Sequence, residues 1–238
     1  MLKMDDVCDI IKKIADLSKR GLKIMTATIK KAIEELKSKQ KVFHSEADFQ
    51  FSLAWELQKI LPDAKIRLEY SPIFDGDMHI DIYIVDGEKS HPIELKYKTR
   101  KITQIIDGEQ YNLKNQSAQD IGRFDFLYDV NRIEKVKALD PKFVSGYAII
   151  LTNDSAYWKV PSIRNTVDAA FRIHEGKTVT GNLSWAENAG VGTTKGRDPV
   201  ELYGEYRMAW LPYSTINANY GDFKYCLIDT CEINNSLI

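Results

Sequence analysis

Apolar side chains recur at intervals of three and four through residues 5–39. Val7, Ile10, Ile11, Ile14, Leu17 and Leu22 stand between lysines and acids, and Ile29, Ala32, Ile33 and Leu36 continue the stripe beyond Gly21. That period predicts two amphipathic helices with a break at Gly21. Ser45, followed three residues later by Asp48, has the spacing of a capping box and predicts a further helix start. Phe49, Leu53, Leu57, Ile60 and Leu61 form its stripe, and Pro62 ends it.

Beyond Pro62 the period shortens to two. Residues 65–73 alternate as a strand, Asp75-Gly76-Asp77 reads as a turn, and 79–85 form a second strand with Ile80, Ile82 and Ile84 on one face and His79, Asp81 and Tyr83 on the other. Asp86-Gly87 makes a hairpin turn into a returning strand over 92–98, where Glu94 and Lys96 share a face and Leu95 takes the other. Helical spacing resumes over 115–137, with Ile121, Phe124, Leu127, Tyr128 and Val130 inward. Tyr147–Thr152 is a continuous apolar run of the kind a buried parallel strand shows. A short helix is expected over 162–171. The glycine-rich stretch 176–204 reads as a long irregular loop, and 206–212 and 223–230 as closing strands. A strand meander, a crossover helix and a further strand imply an α/β fold with a mixed sheet flanked by helices.

Composition narrows the class. With 238 residues, 44% of them hydrophobic and 11% aromatic, the chain can bury the core of one large domain. Its apolar runs are too short to span a bilayer, and the start of the chain has no apolar core of a secretory signal, so a cytoplasmic protein without a membrane partner is expected. Cys8, Cys226 and Cys231 read as reduced thiols, without the spacing of a zinc site. The net charge is −1, yet residues 1–41 hold eleven Lys/Arg against six acids, and Lys96, Lys98, Arg100 and Lys101 form a second basic run. Such asymmetry suits a phosphate-tracking surface, and equally a solvated lysine-rich helix face. No glycine-rich phosphate loop of the GxxxxGK(S/T) pattern is present, which argues against ATP-driven chemistry.

The chemistry centres on the two strands joined at Asp86-Gly87. Asp81 and Glu94 stand on adjacent strands and can converge on one hard cation, to which the Leu95 carbonyl could add a third oxygen. Mg²⁺ favours such oxygen ligands, and Mn²⁺ would substitute. Lys96 would sit beside the ion, and Glu46, in the first turn of the capped helix, could add a carboxylate. Phosphodiester hydrolysis needs this combination of a cation, a positioned water and a stabilised leaving oxygen. The plainer alternative is an edge strand whose polar face is solvated.

Glu46, Asp81 and Glu94-x-Lys96, in this order and context, resemble the PD-(D/E)XK nuclease superfamily of restriction endonuclease-like enzymes. The resemblance covers residues 43–152 and rests on spacing and element order. Ile80 stands where the family name has proline. It implies an α-β-β-β-α-β core over 43–152, preceded by a helical extension over 1–42 and followed by an extension of the same domain over 153–238. It further implies Asp81, Glu94, Leu95 through its carbonyl, and Glu46 at the metal, Lys96 as the catalytic lysine, and a DNA substrate in restriction, defence or repair, with RNA not excluded and a homodimer compatible.

Gln116, Gln119 and Arg123 share a helix face; Gln119 and Arg123 are candidates for a phosphate or metal-water contact, or else part of a solvated face. Lys98 is a candidate substrate contact from the basic run. His44 and His79 read as satisfied or exposed histidines, and Asp75 and Asp77 as turn residues. Among Tyr157, Trp158, Trp185, Tyr203, Tyr206 and Trp210, core packing explains most, with Trp185 the candidate for stacking on an unpaired base. The competing functional class is a nuclease-fold module without activity that binds nucleic acid or a partner protein.

Overall fold

The structure, a computed structural model, describes residues 24–231. The expected helix before Gly21, and Cys8 with it, lie outside the described residues. Helix α1 (24–39) buries Met25, Ile29, Ala32, Ile33 and Leu36 in the main core. Thr26 fastens it to the sheet, with its hydroxyl 3.1 Å from Tyr147 Oη and donating to Asp229 Oδ2 at 2.7 Å. The described part of 1–42 therefore belongs to the same core as the rest of the chain. Helix α2 (Glu46–Ile60) starts where the capping pattern places it, and the Asp48 amide donates to Ser45 Oγ at 3.1 Å.

The strands are β1 (Lys65–Tyr70), β2 (Ile80–Asp86), β3 (Lys89–Lys98), β4 (Ile102–Ile106) and β5 (Glu109–Leu113). After α3 (Gln119–Leu139) come β6 (Tyr147–Thr152), β7 (Thr178–Leu183), the single-turn helix α4 (Val191–Thr194), β8 (Val200–Arg207), β9 (Trp210–Thr215) and β10 (Asp222–Asp229). The main sheet has the order β1-β2-β3-β6-β10-β9. The β1–β2–β3 meander is antiparallel, α3 crosses over to β6 parallel to β3, and β10 and β9 add antiparallel strands. This is an α/β protein built on a mixed sheet. Both faces are covered, which is why β6 is apolar throughout. Tyr147, Ile149 and Leu151 pack under α1 and α2, while Ala148 and Ile150 pack on the α3 side with Phe126, Leu127 and Val130. Alternation in β3 sends Ile93, Leu95 and Tyr97 to the α1/α2 side. Among the described residues no helix is long and apolar enough to cross a membrane.

Several expectations are corrected. Residues 176–204 are not an irregular loop. They hold β7, α4 and the start of β8, because Val179, Leu183, Val200 and Leu202 supply buried apolar positions at strand spacing beneath the glycines. Gly181, at φ 70, sits where the β7–β8 register shifts. Over 162–171 there is only the 3₁₀ turn Ala169–Phe171. The hydroxyl of Thr166 donates to Asp168 Oδ1 at 2.6 Å, a local bond that competes with helix formation. The hairpin β4–β5 had no counterpart in the pattern reading. Its Asp107-Gly108 turn has φ 51 and 89, the mirror-image turn that an Asp-Gly pair favours. The helix expected from 115 begins at Gln119, and Tyr128, expected inward, is exposed. Ile80 leaves the face of Ile82 and Ile84 and packs with Met78, Tyr83 and Val136, where the β1–β2 ladder is irregular.

Far from the charged end of β3, His91 is buried with Nδ1 2.7 Å from Ser145 Oγ. Burial pushes its pKa down from 6.5 to about 4. The unfolded chain then binds a proton that the fold refuses, so this contribution is intact above pH 6.5 and is lost as pH falls towards 4. Urea unfolding of wild type and His91→Gln at pH 7 and pH 4.5 should show the wild type losing stability the variant keeps, up to roughly 3 kcal/mol. Parallel losses in both proteins would contradict the assignment.

Candidate active site

The site forms where the main sheet comes apart. Pairing between β2 and β3 runs from Asp86/Lys89 to Ile82/Ile93 and stops; one step further, the register sets Asp81 opposite Glu94. On the other flank of β2, Glu69 and Asp81 do not pair although Leu68/Ile82 and Tyr70/Ile80 do. Glu69 holds φ 49, a left-handed conformation that costs about 1–2 kcal/mol in an L-residue.

Backbone groups released by this divergence need other partners. The Leu95 amide donates to Asp81 Oδ2 at 2.6 Å, and the Tyr97 amide to Glu46 Oε2 at 2.7 Å. Gln50 Nε2 donates to the Asp81 carbonyl at 2.6 Å and to Glu69 Oε1 at 2.7 Å. Amides two residues apart on a strand point the same way. Two carboxylates thus take the acceptor positions a continued β2 would have filled, and Glu46 reaches them because Ser45 fixes the start of α2.

Glu94, Lys96 and Lys98 turn the other way, towards α3. There Lys96 Nζ lies 2.7 Å from Asp129 Oδ2, Lys98 Nζ 3.4 Å from Asp125 Oδ2, and Arg132 Nη2 3.2 Å from Glu94 Oε1. Arg132 also reaches Asp129 Oδ1 at 3.5 Å and donates to the His79 carbonyl. Lys96 Nζ donates to the Leu95 carbonyl at 3.2 Å. Glu94 is 1% exposed, and neither of its oxygens has a hydrogen-bond donor.

Burial is the first cause of every carboxyl shift here. It raises Asp81, against the Leu95 amide and Lys96, and raises Glu46, against Lys96 and the Tyr97 amide. Glu94 is pushed well above the carboxylate range by burial, then by the charges of Asp129 and Asp81, more than Arg132 and Lys96 offset. Asp129 is raised by burial to about 6 against the pull of Lys96. For Lys96 burial works against the charge, but Asp129 and then Glu46 outweigh it and the ammonium is held above its ordinary range. Lys96 is a fixed cation at neutral pH.

Asp81, Glu94, Lys96 and Glu46 are thus brought together, with Lys98 at their edge. Gln119 and Arg123 are not. Gln119 Nε2 bonds Asp154 Oδ2 at 2.8 Å, and Arg123 donates to Asp168 Oδ2 through Nε at 2.9 Å. They occupy the α3 face turned to residues 154–172. Gln116, seven residues before Arg123 and outside α3, accepts from the Thr99 amide at 2.7 Å. The stripe that meets β3 is Asp125, Asp129 and Arg132, at i, i+4 and i+7. Pattern reading missed it, and missed Gln50 and Glu69. The available signal was an Asp and an Arg at helical spacing between Leu127, Val130 and Ile133, all buried.

The remaining candidates have local partners. His44 stacks on Tyr111 with ring centres 4.4 Å apart and bonds Glu109. His79 Nδ1 lies 3.0 Å from Ser71 Oγ, and Asp75 accepts the Asp77 amide within its turn. Trp185 is no open stacking platform; it packs against Phe171 and Phe124, centres 4.6 and 5.6 Å away. An apolar groove lined by Leu36, Phe51 and Trp55 lies between α1 and α2, separate from the charged cluster.

Two neighbouring acid groups, one with buried oxygens lacking a donor, are a set of oxygens that a divalent cation could take. Among the described residues no group of three or more His, Cys, Asp or Glu side chains is placed to hold a metal unaided. Asp81 and Glu94 are the carboxylates that could hold an ion such as Mg²⁺, which takes one or two carboxylates and completes its shell with water. No family model matches the chain, and neither a curated protein nor a solved structure shows significant similarity to it.

A carboxyl that folding makes harder to ionise loses stability as pH rises between its unfolded and folded pKa. Glu94→Gln should therefore stabilise the metal-free protein at pH 8 by about 1–2 kcal/mol, a gain that fades towards pH 4.5. Thermal unfolding across that range tests it; a Gln variant less stable than wild type at pH 8 would show Glu94 to be well compensated.

Proposed function

We propose that this chain is a Mg²⁺-dependent nuclease of the PD-(D/E)XK, restriction endonuclease-like kind, acting on DNA. The element order α2-β1-β2-β3-α3-β6, interrupted between β3 and α3 by the separate β4–β5 hairpin, supports that core. The observation that carries the reading is Asp81 opposite Glu94 where β2 and β3 diverge, with Lys96 on the same face as Glu94. Asp81, Glu94 and the Leu95 carbonyl would hold the ion, with Glu46 beside them. A bound Mg²⁺ would supply charge neutralisation on the phosphate and a more acidic water.

The chain's own groups define the rest. Asp81 and Glu46 are oriented by backbone amides, so their geometry is set before substrate arrives. Lys96, held protonated, cannot serve as a proton acceptor at neutral pH. Its role is to stabilise negative charge on the phosphate. Lys98 and Arg100 extend positive charge from the same strand end, where a backbone phosphate can be tracked.

One observation favours the second reading, a binding module. Lys96 and Arg132 are already paired with Asp129 and Glu94, which is also how a closed structural network looks. Cleavage of plasmid and oligonucleotide DNA with Mg²⁺ or Mn²⁺ separates the two. Asp81→Ala and Lys96→Ala should each lose at least ~10²-fold in rate. Unchanged cleavage in both variants would sink the nuclease reading. Salt-sensitive DNA binding without Mn²⁺ binding would establish the module.

A further inference from the structure

The guanidinium of Arg132 occupies a specific place in the acid cluster. Its Nη2 lies 3.2 Å from Glu94 Oε1, its Nη1 lies 3.5 Å from Asp129 Oδ1, and it donates to the His79 carbonyl. This is the one ion pair Glu94 makes among the described residues, and both Glu94 oxygens lack hydrogen-bond donors. The contact is loose for a charge-assisted bond, which closes to about 2.7–2.9 Å when both partners are committed. Asp129 stands next to it as a second acceptor, and the Arg132 side chain is 19% exposed, so the group has an alternative partner and a way out.

We propose that Arg132 is a displaceable internal counter-ion. While the acid cluster holds no metal it lies against Glu94 and partly offsets the charges of Asp81 and Asp129 there, and it yields that carboxyl group to a divalent cation, swinging onto Asp129. Arg132 is thus a positioning residue that sets the metal affinity of the site. The proposal rests on the nuclease reading, since it concerns the cation that reading requires. The physical basis is competition. A cation already on Glu94 must be moved before another can bind, and the Coulomb attraction it forfeits is subtracted from the metal's. Asp129 limits that loss by receiving the displaced charge while it holds Lys96 at 2.7 Å.

The test is calorimetric titration of the full chain with MnCl₂ at pH 8, without substrate. Arg132→Met keeps the length and removes the charge, and should bind Mn²⁺ about tenfold more tightly than wild type. Arg132→Lys restores a cation and should return towards wild-type affinity, which a merely structural arginine would not require. Circular dichroism on each variant confirms folding; if Arg132→Met fails to fold, the Lys variant decides alone, because its single, unforked charge releases Glu94 more readily and should bind Mn²⁺ more tightly than wild type. Wild-type binding with equal or weaker affinity in the Met variant, or in the Lys variant when that one decides, overturns this proposal and leaves the nuclease reading standing. No Mn²⁺ binding by any of the three overturns both.

Discussion

The hydrogen bond from the Leu95 amide to the Asp81 carboxylate stands in for a rung of the sheet. Beyond Ile82/Ile93 the β2–β3 ladder stops, and the amides of β3 would face an empty groove. An unpaired buried amide costs as much as a lost hydrogen bond, so the groove must supply acceptors. Here they are the carboxylates of Asp81 and Glu46. The same divergence that opens a cleft at the end of β3 therefore demands acids in that cleft. Gln50 completes the arrangement from α2 by bonding the Asp81 carbonyl that β1 leaves unpaired. Fold and candidate site share one cause.

The second constraint is that β3 is buried on both faces. Its α1/α2 side is ordinary core, with Ile93, Leu95 and Tyr97. Its α3 side carries Glu94, Lys96 and Lys98, which cannot be solvated as they would be on an exposed strand. Charges in such a place need partners on the covering element, and α3 supplies Asp129, Asp125 and Arg132. Compensation is incomplete, and Glu94 shows it in its donor-less oxygens and raised pKa. A replaceable apolar pair would stabilise the fold more. Retaining a strained acid cluster on a rigid central strand is the arrangement a charge-handling site requires.

Legibility in the sequence followed the strength of the local signal. Period and capping located α2, β2, β3 and β6, and the Glu94-x-Lys96 spacing put both side chains on one face before any geometry was known. The divergence of β2 from β3 was not legible, because it is a property of backbone pairing and leaves no residue pattern. Arg123 was misplaced for a related reason. Helical spacing fixes which residues share a face, but not which face meets β3, and Asp168 on a distant segment claims Arg123. Glycine frequency hid β7 and β8, where buried valines and leucines at strand spacing outweigh glycine's conformational cost. The β4–β5 hairpin carries its signal in the turn chemistry of Asp107-Gly108 and in little else, since its strands are short.

The sign of the local charge ties these threads together. Glu46, Asp81, Glu94 and Asp129 converge on a region where Lys96, Lys98 and Arg132 are the opposing cations, and Lys98 is shared with Asp125. Such a region repels a phosphate unless further positive charge enters, and the basic residues that follow along the chain, Arg100 and Lys101, carry positive charge on from the strand end. An acid cluster beside a basic strand end is self-contradictory for an anion-binding surface and coherent for one that recruits a divalent cation first. On the nuclease reading proposed above, electrostatics would set the order of events, cation before phosphate, with Lys96 already held in its charged form by Asp129.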